Sequence, residues 1–201
     1  MKDISKMTRN QKLTTLRNRD QDISDNNLRE FARDIDEDIR CAVTDHPNTS
    51  ADLLGEMAKD KSVLVRRSVA YESKTPVDAL RDLSLDSDWF PRCNVARNPS
   101  TPQDVLKYLA ADKDSTVRYY VAKNPNTPED VLRELAKDEN VGVRLHMAKN
   151  PKVSSTILVM VFEYEKSLGE PEEDIIKALY ANVNCPAFVK RVIETLFGDM
   201  L

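Results

Sequence analysis

Glycine is nearly missing from this chain, with 4 in 201 residues against a usual share of about 7%. Tight hairpin turns need residues that accept φ > 0, so the shortage argues against an all-β fold and for helices. Histidine numbers 2 and cysteine 3, with no CxxC pair and no metal-spaced Cys/His cluster. A His-dependent triad or general base has little to draw on, and neither a zinc or redox site nor a glycine-rich phosphate loop is written here. The expectation is therefore no cofactor, no metal and no enzyme. Apolar runs fall short of the about 20 residues of a membrane span, and Met1 to Asp20 is too polar for a secretory signal. Positive charge is not in excess either: 30 Lys and Arg against 34 Asp and Glu give a net charge of -4, which excludes a basic nucleic-acid arm. These absences predict a soluble, cytoplasmic protein that does not meet a membrane.

What the chain has instead is a period. Arg40, Arg66, Arg92, Arg118 and Arg144 stand 26 residues apart, as do Thr49, Thr75, Thr101 and Thr127, and as do Asp34, Asp60, Asp86, Asp112 and Asp138. Leucines keep the same register at Leu28, Leu54, Leu80, Leu106, Leu132 and Leu158. A fixed period in this range marks stacked supersecondary units, none of which buries its apolar face alone.

Each unit reads as two short helices. In Thr127-Pro-Glu-Asp130, the threonine is a candidate N-cap, Pro128 suits the first helical position and Asp130 completes a capping-box-like pair. Val131, Leu132, Leu135 and Ala136 then form one apolar stripe. The second helix carries Val117 and Val121 on its buried face and stops at Asn124-Pro125, because a residue before proline disfavours the α region. The expected architecture is an all-α, right-handed α-solenoid of six or so 26-residue, two-helix repeats with a C-terminal helical cap. An N-terminal cap is expected at 1–22, repeats at 23–162, an acidic loop at 163–174, and a diverged repeat with the cap at 175–201.

The string V-R-x-x-V-A-x-N-P-x-T-P-x-x-V-L-x-x-L-A-x-D is intact at 117–138 and nearly so at 65–86 and 91–112. It resembles the leucine-rich repeat variant family, a relative of the HEAT and armadillo solenoids, over roughly residues 23–162. That resemblance implies a right-handed superhelix in which one helix of each pair is α and the other short or 3₁₀-like. The family also includes a member with an iron–sulfur cluster on N-terminal cysteines. The first cysteine here is Cys41, so the cluster is not carried over.

The regular Asp-to-Arg spacing, Asp34/Arg40 through Asp138/Arg144, is read as a structural pair within each turn rather than an anion-binding ridge, by similarity to the Asp and Arg that tie HEAT units together. The asparagines at 98, 124 and 150 are turn formers, and His46 stands in their column. Specificity belongs to columns that vary from unit to unit, and on the second helix one such stripe lies opposite the buried valines. It begins with Asp38 and Asp45 and goes on to Arg67, Tyr71, Arg97, Tyr119, Tyr120, Lys123, His146 and Lys149. Aromatic and arginine side chains dominate protein interfaces. These eight residues from Arg67 to Lys149 are the candidate partner-binding set, in a concave groove suited to a protein or acidic peptide. A nucleic-acid-binding solenoid is the alternative, since aromatic and basic groups also suit stacked bases on a phosphate backbone. At the C-terminus, Phe188, Val189, Val192, Ile193 and Leu196 form a further stripe, and the Phe197–Leu201 tail leaves open a partner-binding or dimerising role.

Overall fold

The computed structural model describes residues 4–201; Met1 to Asp3, the start of the expected N-terminal cap, lie outside the described residues. Among the described residues the fold is all-helical, with fourteen α-helices, two 3₁₀ turns and no strand. The chain divides into two compact units, Met1–Val105 and Leu106–Leu201. The first holds α1 (Arg9–Arg17), α2 (Asp25–Phe31), α3 (Glu37–Thr44), α4 (Ala51–Met57), α5 (Val63–Tyr71), α6 (Val77–Leu83) and α7 (Trp89–Arg97), and the division falls within α8 (Gln103–Leu109). The second holds α9 (Ser115–Lys123), α10 (Glu129–Leu135), α11 (Val141–Lys149), α12 (Ser155–Ser167), α13 (Glu173–Ala181) and α14 (Ala187–Phe197).

Helix starts repeat the sequence period: α3, α5 and α7 begin at 37, 63 and 89, and α9 and α11 at 115 and 141. In the first unit α1 packs on α3, α3 on α5 and α5 on α7; in the second α9 packs on α11 and α11 on α13. The buried valines do this packing, with Val65, Val69, Val117 and Val121 fully enclosed, as are Leu28, Leu54, Leu80, Leu106 and Leu158 from the alternate helices. Both members of every pair are α-helical, and among the described residues 3₁₀ geometry is confined to Ile4–Lys6 and Gly198–Met200. Of the short or 3₁₀-like partner helix that the resemblance implied, the short form is the one present: α2, α4, α6 and α10 are α-helices of seven residues, each keeping its i→i−4 bonds up to a cap such as Ala58 to Leu54 (2.9 Å).

The polar columns are wired differently from the sequence expectation. Arg40 does not pair with the carboxylate of Asp34. Its Nη1 donates to the main-chain carbonyls of Asp34 (2.9 Å) and Ile35 (3.1 Å), while Nε and Nη2 donate to both oxygens of Asp60 at 2.7 and 2.9 Å. Arg66 repeats this with the Asp60 carbonyl and the Asp86 carboxylate, and Arg118 with the Asp112 carbonyl and the Asp138 carboxylate. Each of these guanidinium groups therefore joins its own turn to the carboxylate of the next. The aspartates also accept a main-chain N–H two residues on, as Asp60 does from Ser62 (2.8 Å) and Asp138 from Asn140 (2.8 Å), and that residue caps the following helix through its side chain. Burial pushes the Asp60 and Asp86 carboxyls up, but the arginine and N–H hydrogen bonds outweigh it and hold both below the ordinary carboxylate value.

At both ends the periodic partner is substituted. Thr14 occupies the arginine column, yet Lys12 makes the bond to Asp34 (2.6 Å). Tyr164 occupies the aspartate column, and Glu165, fully buried, takes Arg144 Nε at 2.5 Å while its other oxygen accepts from the Glu172 N–H at 3.1 Å. Glu165 belongs to α12, which runs to Ser167, so the acidic loop expected at 163–174 shrinks to a connection at 168–172. A helix is retained there because Val161, Phe162 and Glu165 are all buried on one side of it.

The threonine column is also corrected. Thr49, Thr75, Thr101 and Thr127 are not N-caps; their buried hydroxyls donate to the carbonyls of Val43, Val69, Val95 and Val121 at 2.5, 2.5, 2.6 and 2.6 Å. The cap position falls one residue later, on Pro76 and Pro128 without a side-chain bond, or on Ser50, whose oxygen accepts from Leu53 N–H. At the C-terminus the expected stripe splits: Val189 and Ile193 are buried, whereas Phe188 and Leu196 are exposed. The Gly198–Met200 turn folds back against α13 and α14.

Candidate functional site

In the first unit the variable stripe gathers Arg67, Tyr71 and Arg97 around one hollow. Successive second helices place Arg67, Ser68 and Tyr71 on α5 beside Phe90, Asn94 and Arg97 on α7, with Asp45 closing the rim, around a volume of about 290 Å³. The Arg67 guanidinium lies 4.4 Å from the Phe90 ring centre and that of Arg97 lies 5.4 Å from the Tyr71 ring centre, both within cation–π range. Tyr71 is 56% exposed, and Trp89 packs on Phe90 with 4.3 Å between ring centres. A second hollow lies along Tyr71, Glu72, Ser73, Arg97 and Pro99, and a third, lined by Leu16, Arg17, Arg19, Asp38, Cys41, Ala42 and Asp45, meets the first at Asp45. Burial, followed by the charge of Asp45, pushes the Glu72 carboxyl upward.

In the second unit Tyr119 stands edge-on to Tyr120 (5.2 Å) and to His146 (5.0 Å). Both tyrosines are half-buried, while Lys123 and Lys149 are exposed. His146 is not a cationic contact: burial, and then the charge of Lys123, lower its pKa, and its Nε2 has no hydrogen-bond partner. The stripe thus resolves into an arginine–aromatic hollow on one unit and a tyrosine–histidine cluster flanked by lysines on the other. Phe90 and Asn94 lie on the same variable stripe in the sequence but outside the candidate partner-binding set, and the hollow brings both in; the signal was an aromatic and an amide where neighbouring units carry unrelated side chains.

His46 performs the turn role its column predicts, since its Nδ1 accepts the Asn48 N–H (3.2 Å), just as Asn98 Oδ1 accepts from Ser100 (2.9 Å). Asn98 additionally donates to the Ala70 and Glu72 carbonyls at 2.9 Å each, linking neighbouring turns. His46 Nε2 makes no such bond and is buried without a partner, and burial lowers the pKa of the ring.

Cys41, Cys93 and Cys185 form no disulfide, and among the described residues no three His, Cys, Asp or Glu side chains are grouped to hold a metal. These donors do not fit an iron–sulfur cluster. Among the described residues no helix is long and apolar enough to cross a membrane. Compared with protein-family models and with curated proteins, the sequence matches none.

Proposed function

We propose that the chain is a right-handed α-solenoid resembling the leucine-rich repeat variant proteins, and that it works as a non-catalytic scaffold binding a protein or acidic peptide along its second helices. The observation that carries this reading is the hollow between α5 and α7, where two arginines lie over aromatic rings beside an exposed tyrosine. Arginine and aromatic groups clustered in a recess are the composition of an interface hot spot. Supporting it, the Asp, Arg, Thr and Asn columns are consumed by hydrogen bonds of the frame, which leaves the variable stripe to meet a partner.

The test starts with recovery of a partner from native lysate, with and without nuclease. Arg97, Tyr119 and Lys123 are then replaced together by Ala or Ser. Helical content and melting temperature stay near the parent, while affinity for the recovered protein falls by about tenfold or more, on the order of 1.4 kcal/mol. Unchanged affinity removes the stripe from the interface. A partner lost on nuclease treatment, with affinity falling steeply as salt rises, replaces this reading with the nucleic-acid one.

A further inference from the structure

We propose that the hollow between α5 and α7 is a subsite for a single carboxylate side chain, Asp or Glu, of an extended peptide whose adjoining main-chain N–H donates to Asn94 Oδ1. This inference rests on the protein-binding reading and names the chemistry it recognises. Two groups in the hollow have a valence that the fold does not use.

The first is Arg67. Arg40, Arg66, Arg118 and Arg144 each spend their guanidinium on a carboxylate and on main-chain carbonyls. The Arg67 side chain is exposed and, among the described residues, its one interaction is the stack on Phe90 at 4.4 Å. Stacking occupies a face of the guanidinium and restrains it, leaving the N–H edge, which matches a carboxylate in bidentate geometry.

The second is Asn94. It is 5% exposed, and its Nδ2 donates to the Arg67 carbonyl at 2.9 Å, which settles the orientation of the amide. Its Oδ1 accepts no hydrogen bond among the described residues, and the side chain lines the hollow. An amide oxygen held in one orientation and open to a recess is an acceptor set for a donor from outside.

Charge selects the acid. Among the described residues the Arg67 guanidinium meets no carboxylate, so it brings one positive charge to the lining, which a single carboxylate neutralises. A phosphate dianion would leave negative charge beside Asp45, and Glu72 lies next to Arg97 in the adjoining hollow. The recess of about 290 Å³ suits one side chain with its flanking main chain rather than a folded surface.

The experiment uses the full ¹⁵N-labelled chain and three capped heptapeptides of Gly and Ser that carry Glu, Gln or phosphoserine at the centre. The Glu peptide shifts the Arg67 Nε–H and Asn94 side-chain amide signals saturably, binds at least about tenfold more tightly than the Gln peptide, and loses about tenfold on Arg67→Gln, an exposed change that leaves the spectrum otherwise intact. No saturable shift at those two signals, equal binding of the Gln peptide, or tighter binding of phosphoserine overturns the proposal. Failure of the Glu peptide, with the triple substitution still weakening the recovered partner, removes this subsite and leaves the scaffold reading. Binding of the Glu peptide with no effect of the triple substitution does the reverse.

Discussion

The pairing of Arg118 with Asp138 can be measured against the pairing that the sequence spacing suggests, Arg118 with Asp112. Both Arg118 and Asp138 side chains are under a tenth exposed, at 9% and 5%, and they meet through two bonds of 2.7 and 2.8 Å. Asp138→Asn keeps the oxygen that accepts the Asn140 N–H but removes the charge. Arg118 is then left buried against the Asp112 and Lys113 carbonyls and the exposed Glu139. Breaking one side of a buried pair costs about 3–5 kcal/mol, and Arg118→Met costs a similar amount by stranding Asp138. Because the double variant strands neither charge, its cost falls short of the sum by about 2–3 kcal/mol.

Asp112 behaves differently. Its carboxylate accepts the Asp114 N–H (2.9 Å), whereas Arg118 takes its main-chain carbonyl, which Asp112→Asn preserves. Asp112→Asn and Arg118→Met should therefore add within about 0.5 kcal/mol. Urea unfolding of the four-variant sets, followed by far-UV circular dichroism, gives both coupling energies. Equal couplings, or a larger one for Asp112, would refute the assignment of Asp138 as the carboxylate partner.

Two more outcomes follow from single residues. The His46 imidazole is pushed below its ordinary pKa by burial, so below about pH 6.5 the unfolded chain takes up a proton that the folded chain refuses; this contribution is fully present above that pH and is lost as pH falls toward the folded value. His46→Asn therefore gains stability over the parent at pH 5 relative to pH 8 by urea midpoint, and a gain independent of pH would contradict it. Glu165→Gln leaves Arg144, 3% exposed, without its counter-charge and costs about 3–5 kcal/mol; adding Tyr164→Asp, which restores the acid column, recovers part of the lost melting temperature, and no recovery would show that the register has shifted at α12.

Helix boundaries were legible because proline, the capping residues and the apolar valine and leucine columns all repeat with one period, so each local preference agrees with its neighbours. The arginine partner was not legible, and the reason is arithmetic. In a 26-residue period, the aspartate 6 residues before Arg118 and the aspartate 20 residues after it occupy the same column, so spacing cannot separate a bond within a turn from one between turns. Backbone geometry separates them: the turn presents the Asp112 carbonyl to the guanidinium, and the carboxylate reaches it from the following turn. The threonines pose the same kind of ambiguity, since a hydroxyl can accept as a cap or donate backwards, and sequence does not distinguish the two. For the candidate site, variation between units marked Arg67, Tyr71 and Arg97, but their stacking partners required the neighbouring helix.

Bonds that reach into the next turn make the ends of the pattern chemically incomplete, and the chain answers at both. An aspartate at position 34 needs a cation from the preceding turn, and Lys12 supplies it although the arginine column there holds Thr14. Arg144 needs a carboxylate from the following turn, and Glu165 supplies it from one residue beyond the expected column. A bond confined to its own turn would need neither substitute. The two substitutions are thus independent signs that the ladder joins successive turns, and they explain why Glu165, alone among the acidic residues near that segment, is buried. What the ladder leaves unused, above all the Arg67 guanidinium and Asn94 Oδ1, is then available for recognition rather than for holding the frame.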